Sequence, residues 1–225
     1  MAGIGIICAS AAQSATPPPP ETAASSANTA ASCVIPEPFP EASWDVHVDT
    51  AKPDVKTDFF ILVYSNSPIF CADKKRAGQI KDFRFQCESK NEFGWVIHGL
   101  WAESEPAYIN NKPMGHPRFC KGDLPQLDFS VLKPYLCMSP GAKLLQGEWE
   151  KHGACAFKTA DEYYAKTLEL HKRFQVPPAK LKAKQAMNWM KENNPELKDK
   201  WLYQSGKEFG VCFDKDFKVM SCPKK

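Results

Sequence analysis

Phe59-Phe60-Ile61-Leu62-Val63-Tyr64 is an unbroken apolar run, rich in aromatic and β-branched residues. It predicts a short, buried central strand. Gly94-Trp95-Val96-Ile97-His98 predicts a second strand and puts His98 at its end. Between Ala102 and Pro125, Pro, Gly and Asn recur, which predicts loop. Thr159-Ala160-Asp161-Glu162 has the form of a capping box. The helix behind it would bury Tyr164, Leu168 and His171 or Phe174, and Pro177-Pro178 would end it. Ala179 to Asn193 predicts another helix, stopped before Pro195. Phe209 to Phe213 and Phe217 to Cys222 would form a hairpin about Asp214-Lys215-Asp216. These elements predict a single α+β domain, a central antiparallel sheet flanked by helices.

Composition sets the limits of that domain. Thr16 to Ser32 is Pro, Ala, Ser and Thr apart from Glu21 and Asn28, has scarcely an apolar side chain large enough to bury, and predicts an extended linker. The Ala-rich start before it reads as a signal-like leader, so residues 1–32 form leader and linker and residues 33–225 the folded domain. A hydrophobic content of 43% suffices for a packed core. The net charge of +3 implies only mild attraction to polyanions, unlike a histone or a repressor. There are nine cysteines, and setting aside Cys8 in the leader leaves an even number, as a disulfide framework requires. A periplasmic or secreted location follows from that reading. No stretch is long and apolar enough to span a bilayer.

The candidate chemistry lies in two segments. Trp95-Val96-Ile97-His98-Gly99-Leu100-Trp101 supplies one histidine, and Glu148-Trp149-Glu150-Lys151-His152-Gly153-Ala154-Cys155 supplies another. If the second is helical, Glu148, Lys151 and His152 project from one face at i, i+3 and i+4. Two imidazoles, a carboxylate and an ammonium suit RNA transphosphorylation. A base takes the proton of the ribose 2′-hydroxyl, an acid protonates the departing 5′-oxygen, and a cation stabilises the charge that grows on phosphorus. His47, His116 and His171 lie outside both segments and read as structural or surface residues. Spacing alone leaves a structural role open for His98 and His152 as well.

The two segments resemble the active-site segments of the T2-type ribonucleases, a family of secreted, metal-independent endoribonucleases. Tyr64-Ser65-Asn66-Ser67-Pro68-Ile69-Phe70-Cys71 is similar to the family's opening strand and turn, and the end with Cys212, Cys222 and Pro223 to its closing hairpin. The likeness runs from about Asp58 to Pro223. It implies an endoribonuclease that cleaves single-stranded RNA with low base specificity, through 2′,3′-cyclic phosphate ends, with no cofactor, no metal and no membrane partner, as a monomer. By resemblance His152 is the general base and His98 the general acid, while Glu148 and Lys151 polarise the phosphate. Trp101 matches a base-pocket residue, and Glu103 and Tyr108 fall near other base-pocket positions. Trp95 and Trp149 are expected in the core. The chain departs from the family at Gly147, where a further histidine is common, and at Ala102, where Pro is common.

Cysteine count alone leaves the connectivity open. The resemblance implies Cys71 with Cys87, Cys212 with Cys222 and Cys120 with Cys155, which leaves Cys33 for Cys137. A zinc site at His152 and Cys155 is disfavoured because no second tight His/Cys pair accompanies them. The alternative function is a secreted RNA- or protein-binding effector that keeps the fold with weak or no catalysis, a reading that Gly147 encourages.

Overall fold

In the computed structural model, Met1 and residues 33–48 and 55–225 are described. The leader and linker expected over residues 1–32, Cys8 included, thus lie almost wholly outside the described residues. The apolar run forms β1 (Phe59–Asn66), continued directly by α1 (Ser67–Arg76), whose first turn is capped by the Asn66 side chain accepting from Ile69 N at 3.1 Å. A short α2 (Arg84–Cys87) leads to β2 (Trp95–Glu103), and α3 (Glu105–Ile109) and α4 (Phe129–Leu132) follow. Then come α5 (Ala142–Lys151), α6 (Ala160–Lys172) and α7 (Ala183–Asn193). The chain closes with β3 (Tyr203–Ser205), β4 (Glu208–Phe213) and β5 (Val219–Met220).

The sheet runs β2-β1-β4-β3, with β5 also on β4, and each pairing is antiparallel. Both faces of β1 are covered, which is why its sequence is continuously apolar rather than alternating. Phe60, Leu62 and Tyr64 face the main core under the helices, whereas Phe59, Ile61 and Val63 face a smaller cluster with Tyr108 and the Cys212–Cys222 bridge. Trp95 and Trp149 lie in the main core, as expected. The four disulfides are Cys71–Cys87, Cys120–Cys155 and Cys212–Cys222, the pairs the resemblance implies, and Cys33–Cys137, the pair left over. Each closes a loop and so typically adds about 2–4 kcal/mol. Cys155 is thereby bonded to sulfur and is no metal-binding thiolate.

Three boundaries differ from the sequence reading. β2 does not end at His98 but continues to Glu103, because Leu100 and Ala102 go on alternating into the core opposite β1. The expected loop after Ala102 therefore begins later and contains α3. α6 takes its cap from Thr159, whose hydroxyl accepts from Glu162 N at 3.2 Å, but stops at Lys172, with Phe174 still buried beyond it. α7 starts at Ala183 rather than Ala179, since the Ala179 carbonyl is taken by the Asn66 side chain at 2.7 Å.

Candidate active site

His98 sits at an irregularity in β2. Val63 pairs with Gly99 and Tyr64 with Ile97, so His98 is the extra residue of a β-bulge. Ile97 N turns away from β1 and donates to Met138 O at 2.9 Å. Side chains on a regular strand alternate, which would put His98 and Trp101 on opposite faces. The extra residue brings them to one face, with ring centroids 5.3 Å apart and edge to face.

α5 delivers the second segment to this outer strand. Its N-terminus is held by Glu41, which accepts from Ala142 N at 3.2 Å and from Lys143 N at 2.8 Å. Near its far end Glu148 is 5% exposed and lies directly against Gly99. A Cβ on Gly99 would collide with the Glu148 carboxylate, its Cδ being 2.7 Å away. Gly153 has a similar purpose: a Cβ there would stand 2.6 Å from Trp149 and 2.8 Å from Tyr163. The glycine of each motif thus marks a close approach rather than a turn.

Glu148 is the hub. Oε1 is 3.3 Å from His98 Nε2, and Oε2 accepts from Trp101 Nε1 at 2.8 Å and lies 3.8 Å from His152 Nε2. His152 stacks on the Trp101 indole at 5.2 Å and 9° and is only 1% exposed. Among the described residues neither of its ring nitrogens has a hydrogen-bond partner. A groove of about 570 Å³ passes over the site, with His98, Gly147, Glu148, Lys151 and Glu208 among the residues lining it. His98, Glu148 and Lys151 therefore face the groove, while His152 lies beneath Trp101.

The two imidazoles are driven apart electrostatically. Burial opposes charge on His98, but the Glu148 and Glu208 carboxylates outweigh it and raise its pKa to about 10. Burial, reinforced by Arg118 and Lys151, pushes His152 well below the usual histidine value. One ring is held protonated and the other neutral.

Of the expected base-pocket residues, Tyr108 is buried and reaches Tyr203, which also meets Trp101 edge on at 6.0 Å. Glu103 is 3% exposed and held internally: Arg118 donates to it at 2.7 Å, and the His116 ring also touches its carboxylate. Arg118 further donates to Ala102 O at 2.6 Å. His116 is thus one of a part-buried polar cluster with Glu103 and Arg118, a structural role in line with the sequence reading. His171 packs on Tyr64, and burial lowers its pKa to about 4. Gly147 lies 3.6 Å from Val46, measured from a notional Cβ, where the strand-less segment 33–48 crosses α5. Glu208 and Arg118 were not legible in the sequence, because neither lies near either motif and both arrive through long-range packing.

A profile described as the ribonuclease T2 family matches residues 57–194, more than half of the chain. The chain belongs to the ribonuclease T2 family. A probable ribonuclease of Haemophilus influenzae is 44% identical over 171 residues, covering 75% of this chain and 62% of that protein. A ribonuclease of Aeromonas hydrophila is 28% identical over 120 residues, covering 53% of this chain and 47% of that one. The match thus spans about half to two thirds of these relatives' length. Two solved structures share the fold: trichomaglin, described as an S-like ribonuclease, with TM-score 0.54 and 21% identity over 76% of this chain and 93% of that one, and an RNase-related protein from Calystegia sepium, with TM-score 0.53 and 20% identity over 76% and 92%. Among the described residues no helix is long and apolar enough to cross a membrane, and no three His, Cys, Asp or Glu side chains gather as metal ligands.

Proposed function

We propose that this chain is an endoribonuclease that cleaves single-stranded RNA by transphosphorylation, leaving 2′,3′-cyclic phosphate ends, with little base preference. The observation that carries the reading is Glu148 standing between a charged His98 and a neutral His152. A pair of titratable groups with pKa values driven apart is what acid and base roles require. His152, neutral, takes the proton of the 2′-hydroxyl as that oxygen attacks phosphorus. His98, charged, gives its Nε2 proton to the departing 5′-oxygen. Lys151, on the groove wall, faces the non-bridging oxygens as their charge grows. The names of the relatives, ribonucleases or probable ribonucleases, support the same reading.

His152 must be uncovered for this to happen. In the proposed cycle a base of the substrate enters beside Trp101 and the indole moves from the imidazole to stack on it, a contact worth roughly 1–3 kcal/mol with any base. Tyr108 and Tyr203 would form the rest of that pocket, and Glu103, tied to Arg118, would act as its support. The same burial of His152 favours a second reading, an RNA-binding protein that retains the fold and cleaves weakly. We also propose an extracytoplasmic location, which four disulfides suit.

The test is incubation with single-stranded RNA in excess chelator, with the new 3′ ends identified. Cyclic phosphate formed by the wild type and lost in His152→Ala supports the enzyme. Binding without cleavage supports the second reading.

A further inference from the structure

Glu208 opens β4, far in sequence from both active-site segments. β2 and β4 flank β1 on its two sides, so the Glu208 side chain reaches past one strand to meet His98. Its Oε1 lies 2.7 Å from His98 Nδ1, the distance of a charge-assisted hydrogen bond. The other nitrogen, Nε2, faces Glu148 Oε1 at 3.3 Å. Both carboxylates and the imidazole line the same groove. A residue at a bulge is not aimed by the ladder alone, so something else must fix the rotation of this ring.

We infer that Glu208 is a positioning residue for the cleavage proposed above: by holding Nδ1–H it turns the Nε2 proton of His98 toward the departing 5′-oxygen. The inference rests on that reading of the site. As the 2′-oxygen bonds to phosphorus, the P–O5′ bond breaks and the Nε2 proton passes to O5′, while the 2′-hydroxyl proton goes to His152. His98 is left neutral with its remaining proton on Nδ1. That is the tautomer that keeps a donor for Glu208, so the contact survives the transfer and selects its direction. Glu148 from α5 and Glu208 from β4 are the carboxylates that act on the ring, His152 couples to it from just past α5, and Glu41, Lys74, Asp82, Lys143 and Lys151 line the same groove. Glu208 also favours the charged ring before transfer, in the same sense as Glu148.

Two variants separate geometry from charge. Glu208→Gln keeps an acceptor in place and removes the charge, and Glu208→Ala removes both. Side-chain ¹⁵N spectra of the full chain, with His98 identified by its loss in His98→Gln, give the titration midpoint and the tautomer without reference to activity. The midpoint of His98 is expected to fall by about one unit or more in Glu208→Gln and further in Glu208→Ala, with loss of the Nδ1–H preference in the latter. On RNA, Glu208→Ala is expected to lower kcat by about tenfold or more with KM little changed, and to move the alkaline limb of the rate profile to lower pH. RNA cleaved normally, with midpoint and alkaline limb both unmoved, overturns the inference. No cleavage by the wild type, with the midpoint still falling, defeats the proposed reaction instead and leaves the contact intact.

Discussion

His98 and Trp101 stand three residues apart on one strand and yet share a face, their ring centroids 5.3 Å apart. Only the bulge at His98 makes this parity work. It places Trp101 so that its ring covers His152 and its N–H reaches Glu148. One extra residue in a strand thus assembles both imidazoles around a single carboxylate.

Uncovering His152 should be measurable. In Trp101→Ala the ring loses its stacked cover, and its titration midpoint should rise toward 6.5, the value from which burial depresses it. The same variant should lose about tenfold or more in kcat/KM on RNA, from the lost stacking. A histidine NMR titration in which His152 stays as depressed as in the wild type would show that Trp101 is not its cover.

At Gly99 the Glu148 carboxylate occupies the space a Cβ would need. Gly99→Ala should therefore displace the carboxylate, costing about 1–3 kcal/mol of stability and most of the activity. In a Glu148→Ala background the same substitution should be nearly silent in thermal unfolding. Additive losses in that double-mutant cycle would count against the contact.

Much of this was readable from the chain, and the limits have physical causes. β1 and the caps of α6 are local features, set by apolar run and hydroxyl position, and they match. The motif spacing that predicts Glu148, Lys151 and His152 on a helix end is local too. The bulge is not: it exists only in the pairing of β2 with β1, so period-two reasoning stops β2 at His98 and misses its continuation. Glu208 and the His116–Glu103–Arg118 cluster depend on contacts between separate segments, and a polar residue in a loop or at a strand end gives no local sign of the partner it will meet.

That cluster makes its own prediction. Arg118 donates to the Ala102 and Pro117 carbonyls and to the Glu103 carboxylate. Arg118→Met should destabilise the fold by about 3–5 kcal/mol, because a buried carboxylate loses its main cation. Arg118→Met combined with Glu103→Gln should recover much of the loss, as read from denaturant midpoints.

His171 and His98 make stability depend on pH in opposite senses. His171 binds its proton less readily when folded, near pKa 4 against 6.5 unfolded. It therefore contributes stability that is present above about pH 6.5 and lost as pH falls toward 4, up to about 3 kcal/mol. His171→Leu should flatten the urea midpoint across that window relative to the wild type. His98 acts oppositely: its contribution is full below pH 6.5 and is lost as pH rises through about 10.

The most direct measurement is the chemistry of the cut end. Wild type, His98→Ala and His152→Ala are each incubated with single-stranded RNA in excess chelator, and the 3′ termini are resolved by mass spectrometry. A 2′,3′-cyclic phosphate from the wild type, with rates lower by about 10²-fold or more in each variant, is the expected result. A 3′-hydroxyl terminus, or a His152→Ala rate equal to that of the wild type, would contradict the assignment of proton transfer to these two rings.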